Sequence, residues 1–193
     1  GACRPLPRPC ACLAQLWRLW RRYISVGNDR RNSIGTACKA RAGQGPRGRL
    51  NHLMDIRQLT PRYFVSPQID PSDMPALSKA GITRILCNRP DAEVPASHSA
   101  AAIEAAAKAA GLSFAVQALT HQSMVPDVIA TNRALGAETD DVVLAYCASG
   151  TRSTIAWALG QAGHMTPDAI ITAARTAGYD IENMRHVLEQ PFT

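Results

Sequence analysis

The residues best suited to chemistry are Cys147 and Arg152, which bracket the run Cys147-Ala148-Ser149-Gly150-Thr151-Arg152, with Ser153 next in line. The run follows Val142-Val143-Leu144-Ala145-Tyr146, an apolar stretch that reads as a buried central strand. A helix is expected over 153–163. Small residues between a strand and a helix let successive backbone N–H groups turn inward as an anion nest. The helix N-terminus adds the positive end of its dipole. Gly150 permits a backbone angle that other residues resist. Arg152 can close the nest with a planar fork for an oxyanion. These features also favour the thiolate over the thiol at Cys147. One device would thus make a nucleophile and hold an anion, with Ala148, Ser149, Gly150, Thr151 and Ser153 as its anion-binding loop.

The chain that must position this loop alternates between strand and helix signals after residue 53. Strands are expected over 63–66, 83–87, 113–119 and 142–146. Helices are expected over 72–80, 97–110, from Pro126 to about 136, 153–163, 167–177 and 181–189. Gly81, Gly111 and Gly178 stand where helices stop. Pro126 and Pro167 stand at helix starts. Alternation of this kind predicts an α/β fold: a mostly parallel sheet of about four to five strands with helices on both faces. Ligands in such folds bind beyond the carboxyl ends of the strands. That rule points to the loops 88–95, 120–125 and 147–152.

The chain has 193 residues, 46% of them hydrophobic but only 5% aromatic, and a net charge of +6. The charge is unevenly placed. Residues 1–53 carry eleven basic side chains against one acidic, whereas 54–193 carry ten against fourteen. The basic character therefore belongs to the first quarter, and the remainder gives no sign of nucleic-acid binding. Three readings of 1–53 stand open. It is an Arg-rich targeting segment with an amphipathic helix over 13–23, a disordered basic arm, or sequence upstream of a natural start at Met54. The composition changes abruptly at Met54, which favours the last. Residues 54–193 form the expected catalytic domain. Beyond residue 53 only Cys87 and Cys147 are cysteines, and neither a disulfide framework nor a zinc-ligand spacing is present. Isolated cysteines of this kind suit a reducing, cytoplasmic setting, and Cys87 reads as a small buried hydrophobe. No cofactor or metal site is expected, nor any membrane span, since no run of 18 apolar residues occurs.

Several segments together resemble one family: MDIRQLTPRYFVSPQI from Met54, GITRILCNRPDAE, THQSMVPD, VVLAYCASGTRS and the following ALGQAG. From Met54 to Gln190 the chain is similar to the phosphatase-like domain of the beta-lactamase hydrolase-like protein family, within the wider cysteine-phosphatase and rhodanese world. The resemblance implies a cysteine-phosphatase-like fold with Cys147 as nucleophile and Arg152 as anion clamp. It also implies a partner, because family members occur fused to a metallo-β-lactamase-like domain of the type that oxidises persulfides. This chain has no H-x-H-x-D-H metal motif. One feature departs from tyrosine and dual-specificity phosphatases, which have five residues between Cys and Arg. Four stand here, as in the loop of rhodanese sulfurtransferases. Tyr146 also stands where phosphatases usually place a His.

A phosphatase needs a proton donor for the leaving oxygen. In the resembled phosphatases an Asp follows the strand before the nucleophile strand. Here that neighbourhood offers His121, whose ordinary titration range suits the task, and Asp127, whose place in a helix first turn also has a structural explanation. Arg89 is a candidate to attract an anion, with Asp91 or Glu93 orienting Arg89 or Arg152. His98, His164 and His186 read as structural or surface residues. The substrate is expected to be a small anion, either a phosphate ester or a sulfane-sulfur donor. Three functions compete: a cysteine-dependent phosphatase, a sulfurtransferase carrying a persulfide on Cys147, and a non-enzymatic anion-binding or redox-sensing module. The phosphatase reading stands first.

Overall fold

The structure, a computed structural model, describes residues 55–192. The basic segment 1–53, Met54 and every reading attached to them lie outside the described residues. Five strands make one sheet: β1 (Arg57–Thr60), β2 (Tyr63–Ser66), β3 (Arg84–Cys87), β4 (Ser113–Val116) and β5 (Val143–Tyr146). Their order is β1-β2-β5-β3-β4. β1 runs antiparallel to β2, and all other pairings are parallel. β5 is therefore central, and all four of its residues are buried. That burial on both faces is why its sequence reads as a continuous apolar run rather than an alternating one.

Successive residues of a strand face opposite sides of the sheet, and the two sides here have separate cores. Ile85, Leu144 and Tyr146 pack with Met74, Leu77, Ile103 and Ala107. These come from α1 (Met74–Lys79) and α2 (Ala100–Ala109). Val65, Leu86, Val143 and Ala145 pack with Ile129, Trp157, Ile170 and Leu188. The latter four come from α3 (Pro126–Gly136), α4 (Thr151–Gln161), α5 (Pro167–Thr176) and α6 (Arg185–Leu188). The structure thus has the expected mostly parallel sheet covered on both faces. Among the described residues, no helix is long and apolar enough to cross a membrane.

Differences from expectation fall at element ends. β1 was not anticipated: Arg-Gln-Leu-Thr buries only Leu59, so it carries no alternation, and pairing with β2 is what makes it a strand. β4 ends at Val116 rather than at 119. Leu119 is fully buried, yet it plugs the core from a loop, which an apolar run alone does not distinguish from a strand. α2 starts at Ala100, capped by the Ser99 side chain, which accepts from the Ala102 N–H. A short 3-10 turn over Ala96–His98 precedes it. α4 starts at Thr151, two residues earlier than expected, and this places Arg152 in its first turn.

Candidate active site

The site begins with the one residue that must bend. β5 delivers Cys147 to the carboxyl edge of the sheet, where its N–H donates to the Ser66 carbonyl across the end of β2 (3.4 Å). Gly150 then takes φ +85° and caps α4 from the left-handed region, which an L side chain resists. The turn brings the Gly150 N–H onto the Cys147 Sγ at 3.2 Å. Cys147 is fully buried at the base of this loop, and Ala148, Ser149 and Thr151 are exposed around it. Ser149 and Thr151 bond to each other through their hydroxyls (3.1 Å). The Gly150 carbonyl accepts from both the N–H and the hydroxyl of Thr154 (3.0 and 2.9 Å), which ties the loop to the helix behind it. First-turn amides of a helix have no intrahelical acceptors. Those of Arg152 and Ser153 therefore stand open to an anion at the head of α4. The Ser153 hydroxyl is buried there without a hydrogen-bond partner.

Arg152 is held before any ligand arrives. Its Nη1 donates to Glu93 Oε1 (2.8 Å) and to the Leu119 carbonyl (2.7 Å), and its Nη2 donates to Glu93 Oε2 (2.5 Å). Nε–H makes none of these bonds. The pair is mutually reinforcing: the hydrogen bond from Arg152 holds Glu93 below the usual carboxylate range, and Glu93 raises Arg152 further. The neighbouring Cys147 adds to that rise, which puts the guanidinium within electrostatic reach of the sulfur. A carboxylate held low carries no proton near neutral pH, so Glu93 is a clamp and not a proton donor.

The other anticipated residues divide. Arg89 is committed to the loop beyond β3: Nη1 donates to Gln68 Oε1, Nη2 to the Glu93 carbonyl (both 3.0 Å), and Nε lies 3.5 Å from Glu93 Oε2. It braces the loop that carries Glu93. Asp91 does not orient either arginine. Its carboxylate accepts from the Ala100 N–H (2.7 Å) and so satisfies an open donor at the start of α2; the orienting carboxylate is Glu93. His121 is exposed in a turn over 121–123, and Asp127 is exposed in the first turn of α3. Neither side chain makes a hydrogen bond or ion pair with the cradle itself, and both stand free of it at the surface. Tyr146 is buried on the α1–α2 side beside Cys87, and burial pushes its phenol and the Cys87 thiol up. Among the described residues, no group of three His, Cys, Asp or Glu side chains stands together as metal ligands.

Two contributors were missed by the reading of motifs. Leu119 supplies a carbonyl to Arg152, whereas the sequence reads it only as the end of a strand. Tyr179 donates its hydroxyl to the Ser149 carbonyl (3.2 Å) from a segment 30 residues later, a contact that no local spacing could reveal.

Comparison with known proteins fits this geometry. Residues 55–164 match the family described as beta-lactamase hydrolase-like protein, phosphatase-like domain. A beta-lactamase hydrolase-like protein of Xylella fastidiosa is 30% identical over 131 residues, which is 66% of this chain and 30% of that protein. The chain therefore spans less than a third of the length of such curated relatives. A solved candidate phosphatase of Neisseria meningitidis is 34% identical, with 70% of this chain and 97% of that one covered at a TM-score of 0.63. The core catalytic domain of the PP-IP phosphatase SIW14 from S. cerevisiae shares the fold at 11% identity and a TM-score of 0.53, with 70% and 83% covered.

Proposed function

Because the chain belongs to the phosphatase-like domain family of the beta-lactamase hydrolase-like proteins, we propose that it is a cysteine-dependent phosphatase acting on small phosphate monoesters. The observation that carries this reading is the convergence on one sulfur: the Gly150 N–H at 3.2 Å on Cys147 Sγ, at the head of α4, beside a pre-clamped Arg152. In the first step the Cys147 thiolate attacks phosphorus, an S–P bond forms and the P–O bond to the leaving group breaks. The Arg152 Nε–H and the open amides of α4 take up the charge on the equatorial oxygens. In the second step water attacks phosphorus, the S–P bond breaks, and phosphate and the thiolate are released.

In this reading His121 or Asp127, both exposed on the segment that follows β4, gives the leaving oxygen its proton, since a donor has to reach that oxygen only in the bound ester. The test is phosphate release from p-nitrophenyl phosphate by the wild-type chain and by Cys147→Ser. We expect turnover in the first and a loss of at least about 1,000-fold in the second, since a serine hydroxyl is not ionised there. Equal turnover in the two would overturn the assignment.

One observation favours a second reading. The four-residue spacing between Cys147 and Arg152 makes a small nest, better matched to a sulfur atom than to a tetrahedral phosphoryl group, and sulfur transfer requires no proton donor to an alkoxide. In that reading Cys147 takes sulfane sulfur from a donor such as thiosulfate and passes it to an acceptor thiol. A metallo-β-lactamase-like persulfide dioxygenase would then be a natural partner. Thiosulfate consumption without phosphate release would select it.

A further inference from the structure

We propose that Tyr179 is a positioning residue for Cys147, acting through the single peptide plane between Ser149 and Gly150. The inference rests on Cys147 being the reactive group. In a trans peptide the C=O and the N–H point in opposite directions, and no described peptide is cis. The Tyr179 hydroxyl donates to the Ser149 carbonyl at 3.2 Å. The other edge of that same peptide, the Gly150 N–H, donates to Cys147 Sγ at 3.2 Å. One plane is thus held at both edges, and holding the carbonyl fixes where the N–H points.

Packing around Gly150 supports the same role. A Cβ on Gly150 would lie 1.9 Å from the Tyr179 hydroxyl and 2.9 Å from its Cζ. The phenol therefore occupies the space a side chain would need. Tyr179 is itself braced. It is buried, and the Arg57 guanidinium lies 5.0 Å from its ring centroid. Arg57 Nη1 in turn donates to the Ala177 carbonyl (3.3 Å) and approaches that of Gly178 (3.5 Å). Gly178 passes Arg57 at φ +85°, a left-handed angle that favours glycine. A chain of contacts thus runs from the edge strand β1 through Arg57 and Tyr179 to the sulfur.

The groups facing this bracket are Asp55, Arg57 and Cys147 at the phenol, and Arg152 at the sulfur, with Glu93 behind it. Burial pushes the Tyr179 phenol up, so it remains a donor across the working range. Tyr179→Phe keeps the ring, changes none of these charges and removes only the bond to Ser149. The freed carbonyl lets the plane rotate, and the thiolate loses a donor. Thiolate is the form that alkylates.

The test alkylates the full 193-residue chain with iodoacetamide and follows the Cys147 peptide by mass spectrometry. The loss of one bond to the thiolate predicts about threefold slower alkylation in Tyr179→Phe at about pH 6, with the deficit gone or reversed at about pH 9, because the less stabilised thiolate is also the better nucleophile. Rates equal at both pH values, or lowered by the same factor at both, would overturn the proposal. Thermal unfolding run in parallel reports whether the variant folds. If it does not, Arg57→Lys, which keeps the charge and the phenol but loses the guanidinium that braces the ring, is judged by the same ratio between the two pH values. The readout needs no phosphate turnover. A wild-type chain that releases no phosphate but shows this pH-dependent difference would sink the phosphatase reading and leave the role of Tyr179 standing.

Discussion

At the scale of single residues, the site is a set of constraints on one sulfur and one guanidinium. Gly150 has no substitute. Alanine there costs about 1–2 kcal/mol for the left-handed backbone alone, and its methyl group would displace the Tyr179 hydroxyl. We expect Gly150→Ala to lower kcat/KM for p-nitrophenyl phosphate at least about 100-fold, the scale of losing one preorganised donor. Steady-state kinetics on the folded variant check this. Glu93 acts on Arg152 through charge and geometry. Its folded-state pKa is lowered, so its contribution is complete above the ordinary glutamate range and is lost only as pH falls through a value below that range. In a Cys147→Ser background, which removes the titrating sulfur from the site, sulfate affinity should hold from neutral pH down to about pH 5 and weaken below the ordinary glutamate range. In Glu93→Gln the fork loses its fixed orientation, and kcat/KM should fall about tenfold with no such acid step. Calorimetric titration with sulfate across this range separates the two proteins.

At the scale of elements, the cradle depends on how the strand ends are tied together. Asn88, just past β3, is fully buried and donates from Nδ2 to the Gln117 carbonyl (3.0 Å) and to Asn132 Oδ1 of α3 (2.7 Å). The Asn88 carbonyl accepts from the Leu119 N–H, and the Leu119 carbonyl accepts from Arg152. A buried amide pair thus links α3 to the guanidinium. Asn132→Leu leaves one Asn88 donor unpaired in the core, which should cost about 1–3 kcal/mol. Chemical denaturation would read this as a lowered midpoint with an unchanged slope. Equal stability would mean that the pair is not a structural tie.

At the scale of the whole molecule, most of the fold was legible because its signals are local. Pro126 opens α3 and Pro167 opens α5. The β5 sequence announced its burial on both faces. Cys147, Gly150 and Arg152 were legible for the same reason: a strand end, a glycine and a helix start within six residues. What escaped is non-local. β1 exists because β2 is beside it, with Arg57 opposite Val65. The clamp on Arg152 comes from Glu93, 59 residues earlier; the sequence offers Asp91 and Glu93 alike for it, and only the fold assigns Glu93 to the guanidinium and Asp91 to the start of α2. Tyr179 follows a helix stop and looks like an ordinary core aromatic until the fold returns it to the loop. Residues fixed by their neighbours in sequence can be read from sequence, whereas those fixed by topology need the fold.

The central claim is that Cys147 forms a covalent bond to phosphorus. Its most direct test is an acid quench of the full chain during turnover of p-nitrophenyl phosphate, followed by mass spectrometry of the Cys147 peptide. The account predicts a phosphoryl group on Cys147 in the wild-type chain and none in Cys147→Ser. Phosphate release with an unmodified Cys147 at every quench time, or a sulfur atom on Cys147 after thiosulfate with no phosphoryl group from the ester, would contradict it.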